Sequence, residues 1–415
     1  MKILFVATYP NIATGYSRVA NKLSNYMASL PNTEVYYFGM SNSKDEKKIQ
    51  RTYHPNIRLI DVIDEEKKAG ITEERFGKDL ICNYMRKIQP DILFIYNDLI
   101  VACNHFNALL EVKNELKYKT VLYLDIVYNC QRPEFLNHAD RNIDMFLVFS
   151  EYWRNELIFM GMKKPIEVLH HGADTSLFFP IPALDARKSF GFNESDFVIL
   201  NANRNCYRKG NDVGIRAFLK FLKRNGCSPN IKLFLTCPLY TKTGYDLITL
   251  IECECHRENM PYQQIITTNI LHPNPNMLID DRSMNIIYNT CDIGINTCFG
   301  EGFGLCNFEH ALVGKPQIVS NVGGLRDIFK EEFSIKIDPI AEIYVPRNLE
   351  EHSGILHIVQ PEPFVEALDD YYKNVTKRIT HGEVGRKYLL EKYCGGNGWT
   401  DVYTKLGGII DTVSK

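Results

Sequence analysis

Short apolar runs alternate with longer amphipathic stretches along the chain. Lys2–Ala7 reads as a strand buried on both faces, the signature of a parallel sheet. A polar loop, Thr8–Thr14, follows, and Gly15 opens a helix that runs to about Leu30. Strands are expected at Glu34–Phe38, at Asp91–Tyr96 after a helix near Gly77–Ile88, at Thr120–Leu124 and at Asp144–Phe149. A helix holding Trp153 leads to another strand, Ile166–Leu169. A second alternation begins at Val198–Ala202. It continues through a helix near Asp212–Arg224, a strand at Ile231–Thr236, a helix near Asp246–Asn259 and strands at Ile265–Thr268, Asp292–Asn296 and Gln317–Ser320. This order implies an α/β fold with right-handed crossovers and open parallel sheets. Phe178–Pro182, with two prolines, reads as a hinge between two similar halves. Val402, Leu406, Ile409, Ile410 and Val413 keep helical spacing near the end of the chain.

Length and composition narrow the class. A chain of 415 residues holds two or three domains and needs no disulfide staples. Lys plus Arg is 48 against 50 for Asp plus Glu, so no basic excess points to a nucleic-acid partner. The 12 cysteines are scattered and form no Cys-x-x-Cys pair, which suits reduced thiols in the cytoplasm. The apolar run Ile3–Ala7 is too short for a signal peptide, and Ile92–Cys103 is interrupted by Asn97 and Asp98. A cytoplasmic protein with no transmembrane segment is expected, and contact with a membrane surface stays open. The mixed-sign run Lys44–Lys48 reads as a solvated loop.

The chemistry concentrates between Cys291 and Phe329. The strand ending at Asn296 runs into a loop holding Gly300, Glu301, Gly302 and Gly304, and a helix starts near Leu305 and carries Glu309. Glycines let a ligand approach the backbone, and free N–H groups at a helix start favour anions. Two carboxylates beside such a site suit recognition of hydroxyl groups. The same pair would also serve a glycoside hydrolase, although a hydrolase has no use for an anion site. The first loop lacks the Gly-x-Gly-x-x-Gly of a Rossmann dehydrogenase. No Asp-x-Asp stands where a metal would bridge a diphosphate, and His170 and His171 lack a third ligand at a suitable spacing.

Glu301 and Glu309 are separated by Gly302–Phe308, and the flanks read Gly302-Phe303-Gly304-Leu305, Gly314-Lys315-Pro316 and Gly323-Gly324-Leu325. In this order they resemble the donor-binding signature, Glu-x7-Glu, of the retaining family 4 glycosyltransferases. Three further segments extend the resemblance over most of the chain: Thr14–Arg18, His170–Asp174 followed by Phe178 and Pro180, and Asn203-Arg204 through Arg208-Lys209-Gly210. The resemblance implies a GT-B fold, two Rossmann-like domains facing a central cleft. Residues 1–178 would form the acceptor side and 179–397 the nucleotide-sugar donor domain, with a last helix, about 398–415, packing back on the first.

The resemblance also implies roles. Arg204 and Lys209 would hold the donor diphosphate, and the loop with Gly15 and Tyr16 would close over the diphosphate and the transferring sugar. Glu301 would bind sugar hydroxyls and Glu309 the ribose. Gly302, Phe303, Gly304, Leu305 and Cys306 would complete the donor loop. Asp125 stands near the place where many relatives carry a histidine, and is expected to line the acceptor side. Cys306 and Asn307 replace residues that are often aliphatic, and their backbone N–H groups are expected to matter more than their side chains.

The activity implied is metal-free, cofactor-free transfer of a hexose with retention of configuration. The donor is a nucleotide sugar, with a GDP-hexose such as GDP-mannose preferred over UDP-sugars. The acceptor is a hydroxyl of a glycan, lipid or other molecule. Another GT-B reaction, such as nucleotide-sugar epimerisation or phosphorolysis, and a catalytically silent nucleotide-sugar binding protein are the alternatives.

Overall fold

A computed structural model describes residues 1–415 except 45–46, 73–75, 173, 243, 273–278, 348–351 and 396–397. Part of the Lys44–Lys48 run, Ala173 and the expected domain end at 397 therefore lie outside the described residues. The chain divides into two compact units. Unit 1 comprises Met1–His171, Val345–Gly354 and Thr400–Lys415, and unit 2 comprises Gly172–Tyr344 and Ile355–Trp399.

Unit 1 is built on a parallel sheet of seven strands in the order β3-β2-β1-β4-β5-β6-β7. They are β1 Lys2–Thr8, β2 Glu34–Met40, β3 Ile57–Asp61, β4 Ile92–Asp98, β5 Lys119–Asp125, β6 Met145–Val148 and β7 Ile166–Val168. Ile3 to Ala7 are wholly excluded from solvent, and each large side chain so buried stabilises by about 1.5–3 kcal/mol. Asn97 and Asp98, which interrupt an apolar run, have a local reason. Asp98 caps the helix Leu99–Leu109 by accepting the Val101 N–H at 3.0 Å. Thr14 does the same for the helix Gly15–Ser29, accepting from the Ser17 N–H. The helix Thr400–Val413 belongs to this unit and buries Val402, Leu406, Ile409, Ile410 and Val413. Tyr403 stacks on Tyr26 with centroids 4.5 Å apart.

Unit 2 holds a parallel sheet of six strands, ordered β10-β9-β8-β11-β12-β13. These are β8 Phe197–Asn201, β9 Ile231–Leu235, β10 Ile270–Leu271, β11 Ile293–Asn296, β12 Gln317–Ser320 and β13 Ser334–Ile337. A two-stranded sheet of β14, Ala341–Val345, and β15, Gly354–Ile358, follows. The strand expected at Ile265–Thr268 is instead a π-helical turn, Ile265–Asn269, and pairing with β9 is confined to Ile270 and Leu271. Pro261 starts the helical path, the Ile265 N–H donates to its carbonyl at 3.0 Å, and the Thr267 hydroxyl bonds back to the Gln263 carbonyl. The β-branched composition of this segment is overridden by these local bonds.

Candidate functional site

In each sheet two strands distant in sequence lie side by side, β1 with β4 and β8 with β11, at the point where strand order reverses. Ligands of open α/β sheets bind outside the carboxyl ends of the strands at such a point. In unit 2 the loops leaving β8 and β11 there are those that carry the sequence-predicted residues.

The two loops are tied together. The Phe299 N–H donates to the Arg208 carbonyl at 2.8 Å, the Thr297 hydroxyl donates to the Gly210 carbonyl at 2.8 Å, and the Arg208 guanidinium donates to the Gly300 carbonyl. Gly210 has φ +57°, and a Cβ there would lie 2.2 Å from the Thr297 carbonyl oxygen. The short 3-10 turn Tyr207–Lys209 is thereby pressed against the end of β11. The result is an ion pair between the Lys209 ammonium and the Glu301 carboxylate, with both side chains about nine-tenths buried. Burial pushes the Glu301 carboxyl up. The charges of Lys209 and Arg208 and a hydrogen bond from Asn296 outweigh it and hold the acid below its ordinary range.

The glycine loop then turns into the helix Leu305–Leu312 at Gly304, whose φ is +83°. No side chain caps this helix. Gly324 closes the loop from the other side. Its N–H donates to the Glu301 carbonyl at 3.0 Å, and a Cβ there would meet the Gly302 carbonyl oxygen at 2.0 Å. Leu305 and Cys306 are half-buried at the helix start. Phe303 turns inward, with its ring against Phe308 at 5.1 Å and Tyr393 at 6.2 Å. Glu309 is buried one turn on, and the Tyr288 hydroxyl donates to its carboxylate at 3.0 Å.

The Asn307 side chain has a larger part than the expectation, which put its backbone N–H first, gave it. Its side chain is buried in a relay of amides: Asn296 donates to Asn307 at 2.8 Å, Asn307 to Gln317 at 2.9 Å, and Gln317 to the Lys315 carbonyl at 2.9 Å. Asn296 also accepts the Cys298 N–H at 3.1 Å. Because buried amides need partners, the polar residue at 307 is tied to those at 296 and 317. Arg204, by contrast, is exposed. Its backbone is held by the Asn211 amide at 3.0 Å while its guanidinium stands in solvent.

In unit 1 the loop after β1 leads to Gly15, which is half-buried at the helix start. The Tyr16 ring lies flat on Tyr96, centroids 4.2 Å apart, and Tyr96 stacks on Tyr123 at 5.0 Å. Burial, the neighbouring Tyr96, and then the Asp125 and Asp98 carboxylates push the Tyr16 phenol well up. Its buried oxygen has no hydrogen-bond partner among the described residues. Asp125 ends β5 in register with Asp98 on β4, so the strand ends place Tyr16 and both acids in one region. Beneath them Tyr123 donates to the Leu169 carbonyl and meets His171 Nδ1 at 3.0 Å. Burial, helped by the charges of His170 and Arg18, depresses the His171 imidazole to about 3, so it is neutral at physiological pH.

Among the described residues no group of three His, Cys, Asp or Glu side chains is placed to hold a metal ion, and no helix is long and apolar enough to cross a membrane. Sequence reading missed Arg208, Tyr288 and the amide relay. Arg208 had a faint signal, lying beside Lys209. Tyr288 had none, because it reaches Glu309 only through the packing of two helices.

No family model matches the chain. It is 26% identical over 149 residues to an uncharacterised glycosyltransferase of Methanocaldococcus jannaschii, a match to 36% of this chain. The chain thus spans about a third of the length of that curated relative, 33%. Solved structures align over nearly the whole chain. Sucrose-phosphate synthase from Thermosynechococcus elongatus superposes with a TM-score of 0.75 at 15% identity, covering 100% of this chain and 99% of that one. The Anabaena protein HepE in complex with UDP-glucose gives 0.67 at 13% identity over 99% and 100%. A UDP-forming trehalose-phosphate synthase from Burkholderia xenovorans gives 0.65 at 12% identity over 100% and 99%. The chain has the fold of the GT-B glycosyltransferases.

Proposed function

We propose that this protein is a glycosyltransferase that moves a hexose from a nucleoside diphosphate sugar to a hydroxyl acceptor, with retention of configuration and without a metal. The observation that carries the reading is the buried Lys209–Glu301 pair, set beside a glycine loop where the strand order reverses. As the bond from the sugar to the diphosphate breaks, negative charge grows on the leaving group. The Lys209 ammonium, the exposed Arg204 and the N–H groups at Leu305 would receive that charge. One preorganised donor of this kind is worth about 3–4 kcal/mol of barrier. Lysine has three N–H donors, enough for Glu301 and a phosphate oxygen together. Glu301 is kept ionised, so it accepts from the sugar hydroxyls. Glu309 would take the ribose hydroxyls, the loop with Gly15 and Tyr16 the diphosphate and the sugar, and Asp125 the acceptor.

HepE binds UDP-glucose, so a UDP-hexose is the first donor to test, with GDP-mannose beside it. With the cationic charge supplied by side chains, no divalent ion is required. Calorimetric titration with UDP-glucose, UDP-N-acetylglucosamine, ADP-glucose and GDP-mannose in EDTA is expected to show saturable binding of at least one. Absence of binding by all four at millimolar concentration overturns the reading. Transfer to acceptor is expected to proceed unchanged in EDTA. Activity lost in EDTA and restored by Mn²⁺ or Mg²⁺ overturns the metal-free step.

A further inference from the structure

Tyr288 is wholly buried on the helix Asp281–Thr290, and its hydroxyl donates to Glu309 Oε2 at 3.0 Å. The ring is held in place from two directions. His310 stacks on it with centroids 5.4 Å apart and planes 19° apart, and Phe178 packs against it at 5.7 Å. His310 itself hydrogen-bonds the Tyr288 backbone. Burial, together with the Lys315 charge, depresses its imidazole to about 3, so the ring stays neutral. His310, Phe178 and the helix hold the ring so that the Tyr288 hydroxyl meets Glu309.

We propose that Tyr288 is a positioning residue for nucleotide binding: it fixes the Glu309 carboxylate in the free protein, before any ligand arrives. This rests on the reading of Glu309 as the group that receives the ribose. A glutamate has several rotamers, and freezing them on binding opposes affinity. A phenol hydrogen bond to the carboxylate, made beforehand, removes that opposition. Tyr288 would touch no ligand itself. Its effect would therefore fall on the nucleoside half of the donor and leave the phosphate half untouched.

The test is Tyr288→Phe, which keeps the ring and deletes one oxygen, titrated with UDP and, separately, with inorganic pyrophosphate. Loss of this preorganisation, which leaves one side chain to be immobilised on binding, is expected to weaken UDP about 3- to 10-fold. Pyrophosphate affinity is expected to stay within twofold of wild type. In a Glu309→Ala background, adding Tyr288→Phe is expected to change UDP affinity no further. A purely structural role would instead weaken both ligands, or add to Glu309→Ala. Either result overturns the proposal, as does wild-type UDP affinity in Tyr288→Phe. If Glu309→Ala alone binds UDP as wild type does, the ribose reading of Glu309 falls and the proposal with it. If Glu309→Ala weakens UDP and Tyr288→Phe does not, only the positioning role falls.

Discussion

Lys209→Met is expected to cut transfer by about 10²–10³-fold, the loss of one preorganised donor to the leaving diphosphate. It is also expected to destabilise the fold, because Glu301 would remain buried without its nearest cation. Removing one partner of a buried pair typically costs about 3–5 kcal/mol, and Arg208 nearby should hold the loss to about 2–3 kcal/mol. The pH dependence follows from Glu301. Its acid lies below the ordinary range in the wild type, so its contribution to stability is present above the unfolded value, roughly 4.3, and is lost as pH falls through the lower folded value. In Lys209→Met burial dominates and the acid moves up. The stability deficit should then be greatest near neutral pH and shrink as pH falls through that raised value. Urea unfolding at pH 7 and pH 5 measures this. A deficit equal at both would mean that Glu301 is not the charge left behind. The double variant Lys209→Met with Glu301→Gln removes both charges, and is expected to regain most of the stability while transfer stays lost. Recovery of both would make the pair structural only.

That pair also marks how far the sequence could be read. Glu301 and Lys209 are legible because each sits in a short ordered motif next to a glycine, and the strand–helix alternation brings their loops to adjacent strands. The last helix is legible for a similar reason, since its buried positions keep one helical stripe. The half-buried edge strand Ile57–Asp61 lacks the doubly buried apolar run of its neighbours and escaped notice. Ile265–Thr268 has the composition of a strand and coils because its backbone bonds are satisfied locally. Tyr288 and Asn307 were unreadable for another reason. Their partners, Glu309 and Gln317, are chosen by how elements pack, and no periodicity records which polar group a neighbouring element will present. Side chains that a local motif places together can be found in one sequence. Side chains that hold those in place generally cannot.

Gly324→Ala is expected to produce the largest loss of donor binding among changes that add no charge and remove none. Gly324 has φ −64°, a conformation open to any residue, so the backbone itself carries no objection to alanine. The obstacle is contact. The new Cβ would stand 2.0 Å from the Gly302 carbonyl oxygen and 3.0 Å from its carbon, both backbone atoms without a rotamer to turn. The glycine loop must then move by about 1 Å, a displacement that can cost 10²-fold in rate when it falls on groups that position a substrate. UDP-glucose affinity is expected to fall at least tenfold, with stability reduced by about 1–3 kcal/mol, the usual cost of overpacking. Gly226→Ala is the control. Gly226 has φ +67° but nothing within 4 Å of a Cβ, so alanine there meets backbone strain without collision. It is expected to lose about 1 kcal/mol of stability and to bind the donor as wild type does. Equal donor affinity in the two variants would show that the loop backbone at Gly302 takes no part in binding, and would leave the carboxylates and Lys209 to carry the site alone.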